Sequence, residues 1–478
     1  MENRTVAALD IGTTKIAVVV AEKDNNGQLK VLAHGSEPSY GVSRGAVFNI
    51  DKTARAIRRA VDKAELHYGK RIDEVYVGIA GMHINSIQVQ RRLNRNNNTG
   101  VTADELQNMR DDAARQPVND GDCIIHVVPQ EFFADDIGEA FTERDAQGIS
   151  CKVLVGNYHL ITASRQDVKN IVDSVEQAGL EILGDPILEP LASAAATIEQ
   201  KLCETGVAMV DIGGGTTDLA IYQGKVLRHT AVIPIAGNLI SKDIETTFKI
   251  MPETANILKE RFGSAIDNTA HYEEIIIPAN YGMREVKVAS TDLAGVIRAR
   301  VEQIFDAVNE ELDASGFKHK LLSGIVITGG GANLKSINNL CEHQTSLHTS
   351  LGSPVTHFSP INDEELMQSM ANPIYSTVIG LALLGFSYQA DAEAEEEETL
   401  YEGIKSDEKL KEVEEIVNNN DDNGDNTDDT TTTTTTEVNK KDTDKDNFSI
   451  FKLPFTNMFK NWKTKSDDFL KEQSSIVE

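Results

Sequence analysis

Basic residues are scarce in this 478-residue chain: 46 Lys and Arg stand against 75 Asp and Glu, for a net charge of −29. A nucleic-acid partner needs a basic face, so none is expected. Cysteine is equally sparse. Cys123, Cys151, Cys203 and Cys341 lie far apart with no CxxC, the pattern of reduced thiols in a cytosolic protein rather than a disulfide frame or a zinc site. No apolar run approaches the roughly 18 residues that a membrane helix needs. The longest, Val378–Phe386, reads as a buried helix. Met1–Asp10 has no basic start followed by an apolar core, so no signal peptide is evident. Neither GxxxxGK[ST] nor GxGxxG occurs, which removes both common nucleotide fingerprints.

What is present is a phrase used twice. Val207–Val226 runs VAMVDIGGGTTDLAIYQGKV, and Val6–Val20 runs VAALDIGTTKIAVVV. Each reads as strand, turn, strand, with an aspartate (Asp211, Asp10) leading into glycines and hydroxyls. Glycine lets a backbone approach a phosphate closely, and successive N–H groups in such a turn form an anion nest. Asp10, Asp211 and Asp218 are hard oxygen ligands suited to Mg²⁺ or to the water around it. A lone copy of this turn is more often an ordinary tight turn. Two copies suggest a duplicated α/β fold with a nucleotide between its halves.

The rest of the body reads in order. Leu29–Gly35 is a third strand, Gly41–Val47 a loop, and Asp51 the N-cap of a helix with an Ala/Ile/Val stripe. Asp73–Gly81 is another strand. From His83 to Arg165 the rhythm breaks into a smaller inserted unit. It has strands Ser86–Leu93, Ile124–Val128 and Val153–Ser164, an exposed loop Arg91–Thr99, and a capping-box helix from Thr102 and Glu105 through Ala114. Asp167–Gly179 and Leu191–Leu202 are helices. Glu189 at the mouth of the second is either an acid favoured by the helix dipole or a carboxylate facing a metal or an attacking water, and the local sequence alone favours the former. Ala231–Ile235 is a strand and Gly237 opens a helix. A second insert follows: helix Pro252–Phe262, strands Glu274–Pro278 and Glu285–Ala289, and an Asp292-capped helix carrying Arg298 and Arg300. Gly324–Leu334, GIVITGGGANL, is a strand entering a glycine turn and a helix start. It suits an adenine, ribose or phosphate contact, or a close packing turn.

Residues 391–447 carry 21 acids and 6 bases, about half the net charge, and include the homopolymer Thr430–Thr436. Such a segment cannot bury enough surface to fold, and as a coil it reaches roughly 40 Å. Composition then reverses. In Phe448–Trp462 and beyond, Phe455, Met458, Phe459 and Trp462 share one helical face, with Lys460, Lys463 and Lys465 on the other. This is the pattern of an interfacial membrane anchor, each lysine adding on the order of 1 kcal/mol at an anionic leaflet. The rival reading is a helix that docks in a protein groove.

These motifs resemble the superfamily of actin, heat-shock chaperones and sugar kinases, with Asp10–Lys15 and Asp211–Asp218 as phosphate loops and Gly329–Asn333 as an adenosine loop. ILEPLASAAA around Glu189 is similar to the superfamily's connecting segment, which moves Glu189 toward the active-site reading. The chain is most similar to the FtsA family of bacterial division proteins. Only Ser36–Ile50 separates the third strand from the first long helix, and the insert comes later, at about His83, as in that family. The implied α/β architecture is an actin-like ATPase fold of two lobes: subdomain 1A (1–82 and 166–204) with inserted 1C (83–165), and 2A (205–244 and 308–390) with inserted 2B (245–307). A disordered linker (391–447) and an amphipathic region (448–478) follow.

The resemblance implies ATP with Mg²⁺. Asp10, Gly12, Thr13, Thr14 and Lys15 would hold one side of the phosphates, and Gly213, Gly214, Gly215, Thr216 and Thr217 the other. Gly237, Lys259, Gly329, Gly330, Gly331 and Asn333 would lie toward the adenosine. Asp10 and Asp211 would meet the metal through water, and Glu189 and Asp211 are the catalytic candidates for what is at most a slow ATPase. Asn256 stands where the family often has an acid, which puts its ribose contact in doubt. Implied partners are the C-terminal peptide of the tubulin-like protein FtsZ (at Arg300, with Arg298 a weaker candidate), further copies of the chain in a polymer, later division proteins through 1C, and anionic lipid on the cytoplasmic side of the membrane at the septum. Other ATPases of the superfamily and small-molecule kinases are the alternatives. No polar substrate pocket residues for a kinase stand out.

Overall fold

Two stretches of the chain fold into the same five-strand order. In the first lobe Thr5–Ile11, Lys15–Lys23 and Leu29–Pro38 form an antiparallel meander. Glu74–Ile79 lies parallel beside Thr5–Ile11, and Glu181–Ile182 lies parallel beyond it. In the second lobe Val207–Ile212, Thr217–Gln223 and Val226–Ile233 repeat the meander. Ile325–Thr328 and Thr349–Leu351 take the two parallel places. This computed structural model describes residues 4–390 apart from 25, 97–98, 136, 268–271, 280–283 and 360–363. The linker and the helix expected to carry Phe455, Met458, Phe459, Trp462, Lys460, Lys463 and Lys465 therefore lie outside the described residues.

The strands buried on both faces read as continuous apolar runs because helices cover both sides. Helix Ile50–Tyr68 lays Ala56, Ile57, Ala60, Val61 and Ala64 on the first sheet. It comes so close at Gly35 that a Cβ there would sit 2.0 Å from the Ala60 carbonyl oxygen. Its N-cap is Asn49, whose Oδ1 accepts from the Lys52 amide at 2.9 Å, and Asp51 falls in the first turn instead. The other expected acid cap is displaced likewise. The long helix of the second insert runs Ser290–Ala314, so Asp292 is a first-turn acid favoured by the dipole. Leu191–Leu202 is not one helix: Glu189–Thr197 ends at Ile198, and Gln200–Thr205 starts afresh. The loop Gly41–Val47 is a small hairpin, Val42–Ser43 against Ala46–Val47, turning through Arg44 and Gly45 at φ 49° and 76°.

The insert's sheet places Val153–Ser164 between Asn85–Asn94 and Asp122–Ala134. Thr102 and Glu105 form the expected capping box over helix Ala103–Ala114. The stretch Arg91–Thr99 is not simply an exposed loop. Its first residues extend a strand, and the Arg95 guanidinium turns inward to Glu105 (2.8 Å) and to the carbonyls of Cys151 and Gly100. The insert also covers the outer edge of the second lobe's meander. Gln130 Nε2 donates to the Leu227 carbonyl at 2.7 Å, Ser86 Oγ to that of Thr230, and Arg228 pairs with Glu131 at 2.7 Å. No helix among the described residues is long and apolar enough to cross a membrane, and the four cysteines are free thiols.

Candidate functional site

The two Asp-led hairpins close through turns of equal length. Ile11 pairs with Ile16 and Ile212 with Thr217, leaving four residues between each pair. Their tips touch across the lobes. A Cβ on Gly214 would lie 2.4 Å from Thr14 Cγ2, and one on Gly215 would lie 2.4 Å from Thr13 Oγ1. Only glycine permits this approach, which explains the composition of the second turn. Beneath the tips lies a cavity of about 770 Å³, lined by Asp10, Gly12, Thr13, Thr14 and Lys15 on one side and Asp211 and Gly213–Thr216 on the other. Gly237, Lys259, Gly329, Gly330, Gly331 and Asn333 line it as well.

Thr217 does not reach this cavity. It begins the return strand and points away, its Oγ1 donating to the Ile235 carbonyl at 2.7 Å. The Gly237 and Asn238 amides, which open a helix, are spent on the Gly213 and Gly214 carbonyls at 3.1 and 2.9 Å. Gly330–Asn333 is a 3-10 turn, and the α-helix begins only at Ile337, so the glycine loop is not a helix N-terminus. It packs tightly instead: at Gly329 (φ 79°) a Cβ would fall 2.0 Å from Asp211 Oδ1.

Asp10, Glu189, Asp211, Asp218 and Glu260 share the cavity with Lys15 and Lys259. Burial pushes Asp10 up to about 6, with Lys15 pulling it down and Asp211 pushing it up. Asp211 is raised by burial against the pull of Ser193, Thr377 and Lys15. Glu189 and Asp218 are driven well above the usual carboxylate range, by burial first and their acidic neighbours next. The Asp218 Oδ1 atom is buried with no hydrogen-bond partner. Lys15 is lowered to about 8, mainly by burial; its Nζ donates to the Ile374 carbonyl at 2.6 Å and sits 3.8 Å over the Tyr375 ring. Carboxylates outnumber lysines in this cleft, and a hydrated divalent cation fits it. Among the described residues no three His, Cys, Asp or Glu side chains converge closely enough to hold an ion by themselves.

The far end of the cavity is apolar, with Ile240, Val301, Ile304, Leu334 and Ile337. Next to it Asn256 Nδ2 donates to Glu260 Oε1 at 2.7 Å. A flat base beside a hydroxyl-bearing sugar suits this end. Reading the sequence missed Glu260, although it adjoins Lys259 and stands one helical turn after Asn256. Arg298 and Arg300 lie outside the cavity. Arg298 pairs with Glu302 at 2.7 Å, and Arg300 forks onto Asp243 at 2.6 and 3.0 Å.

Comparison with known proteins agrees with this picture. A family model described as cell division protein FtsA matches residues 208–380, and one described as the SHS2 domain inserted in FtsA matches residues 81–162. The chain is 34% identical over 389 residues to cell division protein FtsA of Pseudomonas aeruginosa, covering 81% of this chain and 91% of that one. This chain belongs to the FtsA family. It is 33% identical to the FtsA of Escherichia coli K12 over 413 residues (85% of this chain, 96% of that one) and 34% identical to that of Neisseria meningitidis over 383 residues (80% and 90%). Among solved structures, the PilM–PilN type IV pilus biogenesis complex aligns with a TM-score of 0.58 at 16% identity, over 80% of this chain and 98% of that one. MreB5 of Spiroplasma citri bound to ADP aligns with a TM-score of 0.50 at 15% identity, over 82% and 99%. The expected actin-like ATPase fold is therefore the fold of this FtsA-family chain, a cell-division protein.

Proposed function

We propose that this FtsA-family protein binds ATP with Mg²⁺ between its lobes and ties FtsZ to the cytoplasmic face of the membrane at the division site. The observation that carries the nucleotide reading is the pair of equal Asp-led turns, in contact at their tips above one cavity. Free amides of Gly12–Lys15 and Gly214–Thr216 would cradle the phosphates. Lys15, released from the Ile374 carbonyl, would approach them from the first lobe. Asp10 and Asp211 would hold waters of the cation, and Lys259, Asn256 and Glu260 would flank the sugar. The bound cation would supply positive charge to offset the phosphates and any charge developing in transfer to water. Glu189, whose carboxyl burial and its acidic neighbours push toward the protonated form, would orient a water in the cavity. Support for a nucleotide also comes from the ADP in the related MreB5.

The tether reading rests on the terminal sequence, an aromatic and lysine helix on a linker of roughly 40 Å reach. The second insert (245–307) would receive the FtsZ peptide near Arg300, and the first (83–165) would meet later division proteins. The body would polymerise, which multiplies a weak lipid contact into a firm one. Flotation of the full chain with anionic vesicles, ATP and FtsZ tests this. The protein is expected to carry FtsZ into the lipid fraction, and a chain lacking Phe448–Glu478 is expected to leave both in solution. If the shortened chain still floats, the anchor is elsewhere.

A further inference from the structure

Asp211 is gripped from behind. Its Oδ2 atom accepts a 2.6 Å hydrogen bond from Ser193 Oγ and lies 3.2 Å from Thr377 Oγ1, and the two hydroxyls are 3.0 Å apart. Each hydroxyl has one proton to give. Ser193 and Thr377 each donate that proton to the same carboxylate oxygen, Asp211 Oδ2. Ser193 is fully buried. Both hydroxyls come from helices whose apolar residues join one core with both sheets, Val207 and Met209 of Asp211's own strand included. The two helices can bring the hydroxyls together because they cross at Gly380, where a Cβ would lie 1.8 Å from the Ala192 carbonyl oxygen. Among the described residues Asp211 Oδ1 has no hydrogen-bond partner, and the carboxylate borders the cavity.

We propose that Ser193 and Thr377 are positioning residues for Asp211: they fix its Oδ2 and leave Oδ1 aimed at a water of the divalent cation. This rests on the nucleotide reading above and goes beyond it by naming residues that act through Asp211: Ser193, which does not line the cavity, and Thr377 at its border. Without the clamp the carboxylate turns freely and loses a charge-assisted bond, so the cation's contribution to nucleotide binding falls while the nucleotide's own contacts remain.

The test measures ATP affinity of the full chain twice, with Mg²⁺ and with the divalent cations chelated, for the wild type, Ser193→Ala, Thr377→Val, the double variant and the conservative Thr377→Ser. The expected result is that Mg²⁺ tightens wild-type binding. The double variant should lose about tenfold of that gain, with metal-free affinity unchanged and Thr377→Ser behaving as wild type. An undiminished Mg²⁺ gain in the double variant overturns the proposal. So does an equal fall in both buffers, which marks a merely structural role. A wild-type chain that takes up no ATP in either buffer overturns the nucleotide reading itself, and this inference with it.

Discussion

Replacing Asp10 by Asn should make the nucleotide-free protein more stable at neutral pH, and the gain should vanish in acid. The Asp10 carboxyl is raised from 3.8 to about 6, burial being the largest cause. A raised acid is one whose proton the folded chain holds more tightly than the unfolded chain does. Its contribution to stability is therefore present below pH 3.8 and is lost as pH rises to about 6. At 1.36 kcal/mol per pH unit, that interval corresponds to about 3 kcal/mol. An Asn amide resembles the protonated acid and never ionises, so the variant escapes the loss. Guanidinium unfolding of both proteins at pH 4 and pH 7.5, followed by far-ultraviolet circular dichroism, reads the difference. The variant should gain about 2 kcal/mol relative to wild type between the two values, since part of the loss has already set in at pH 4. A difference that is the same at both pH values, or that moves toward wild type as pH rises, would refute the reasoning. The same crowding of carboxylates predicts that a bound divalent cation shrinks the gain.

Gly380→Ala should lower thermal stability, because its methyl group meets the Ala192 carbonyl at 1.8 Å and the two helices must part. The cost is about 1–3 kcal/mol, toward the upper end since the obstacle is backbone, and an unchanged melting temperature would count against the crossing. At the second insert, Arg300 is already bound bidentately by Asp243, so the peptide contact proposed there would have to displace that partner. Asp243→Asn should tighten binding of the FtsZ peptide several-fold and Arg300→Glu should abolish it. Fluorescence anisotropy with the peptide checks both, and an Arg300→Glu variant of full affinity rules that residue out.

Local patterns were the legible ones. Continuous apolar runs broken by DIG turns named both hairpins, the alanine stripe named helix Ile50–Tyr68, and Thr102 with Glu105 capped their helix as their spacing required. Caps went astray where two residues of the right type competed, as Asn49 and Asp51 did, because a cap is decided by which residue turns extended. Thr217 reads as part of the turn by type, but it closes the first strand pair with Ile212 and faces away. What stayed hidden depends on distance along the chain. Ser193 and Thr377 meet Asp211 from 18 and 166 positions away. Gln130 reaches the backbone of Leu227 97 positions on. A lone serine in an alanine-rich helix carries no local mark of such a partner, and an arginine such as Arg95 in an Asn-rich stretch reads as surface until its carbonyl partners are placed around it.

The central claim is that the twin turns grip one nucleotide, and equilibrium binding of ATP with Mg²⁺ to the full chain, compared with Asp211→Ala and Lys15→Ala, tests it most directly. The account predicts saturable binding to the wild type and a loss of at least about tenfold in each variant, the size of one charge-assisted contact. A wild-type chain that does not bind, or two variants that bind as it does, would contradict it.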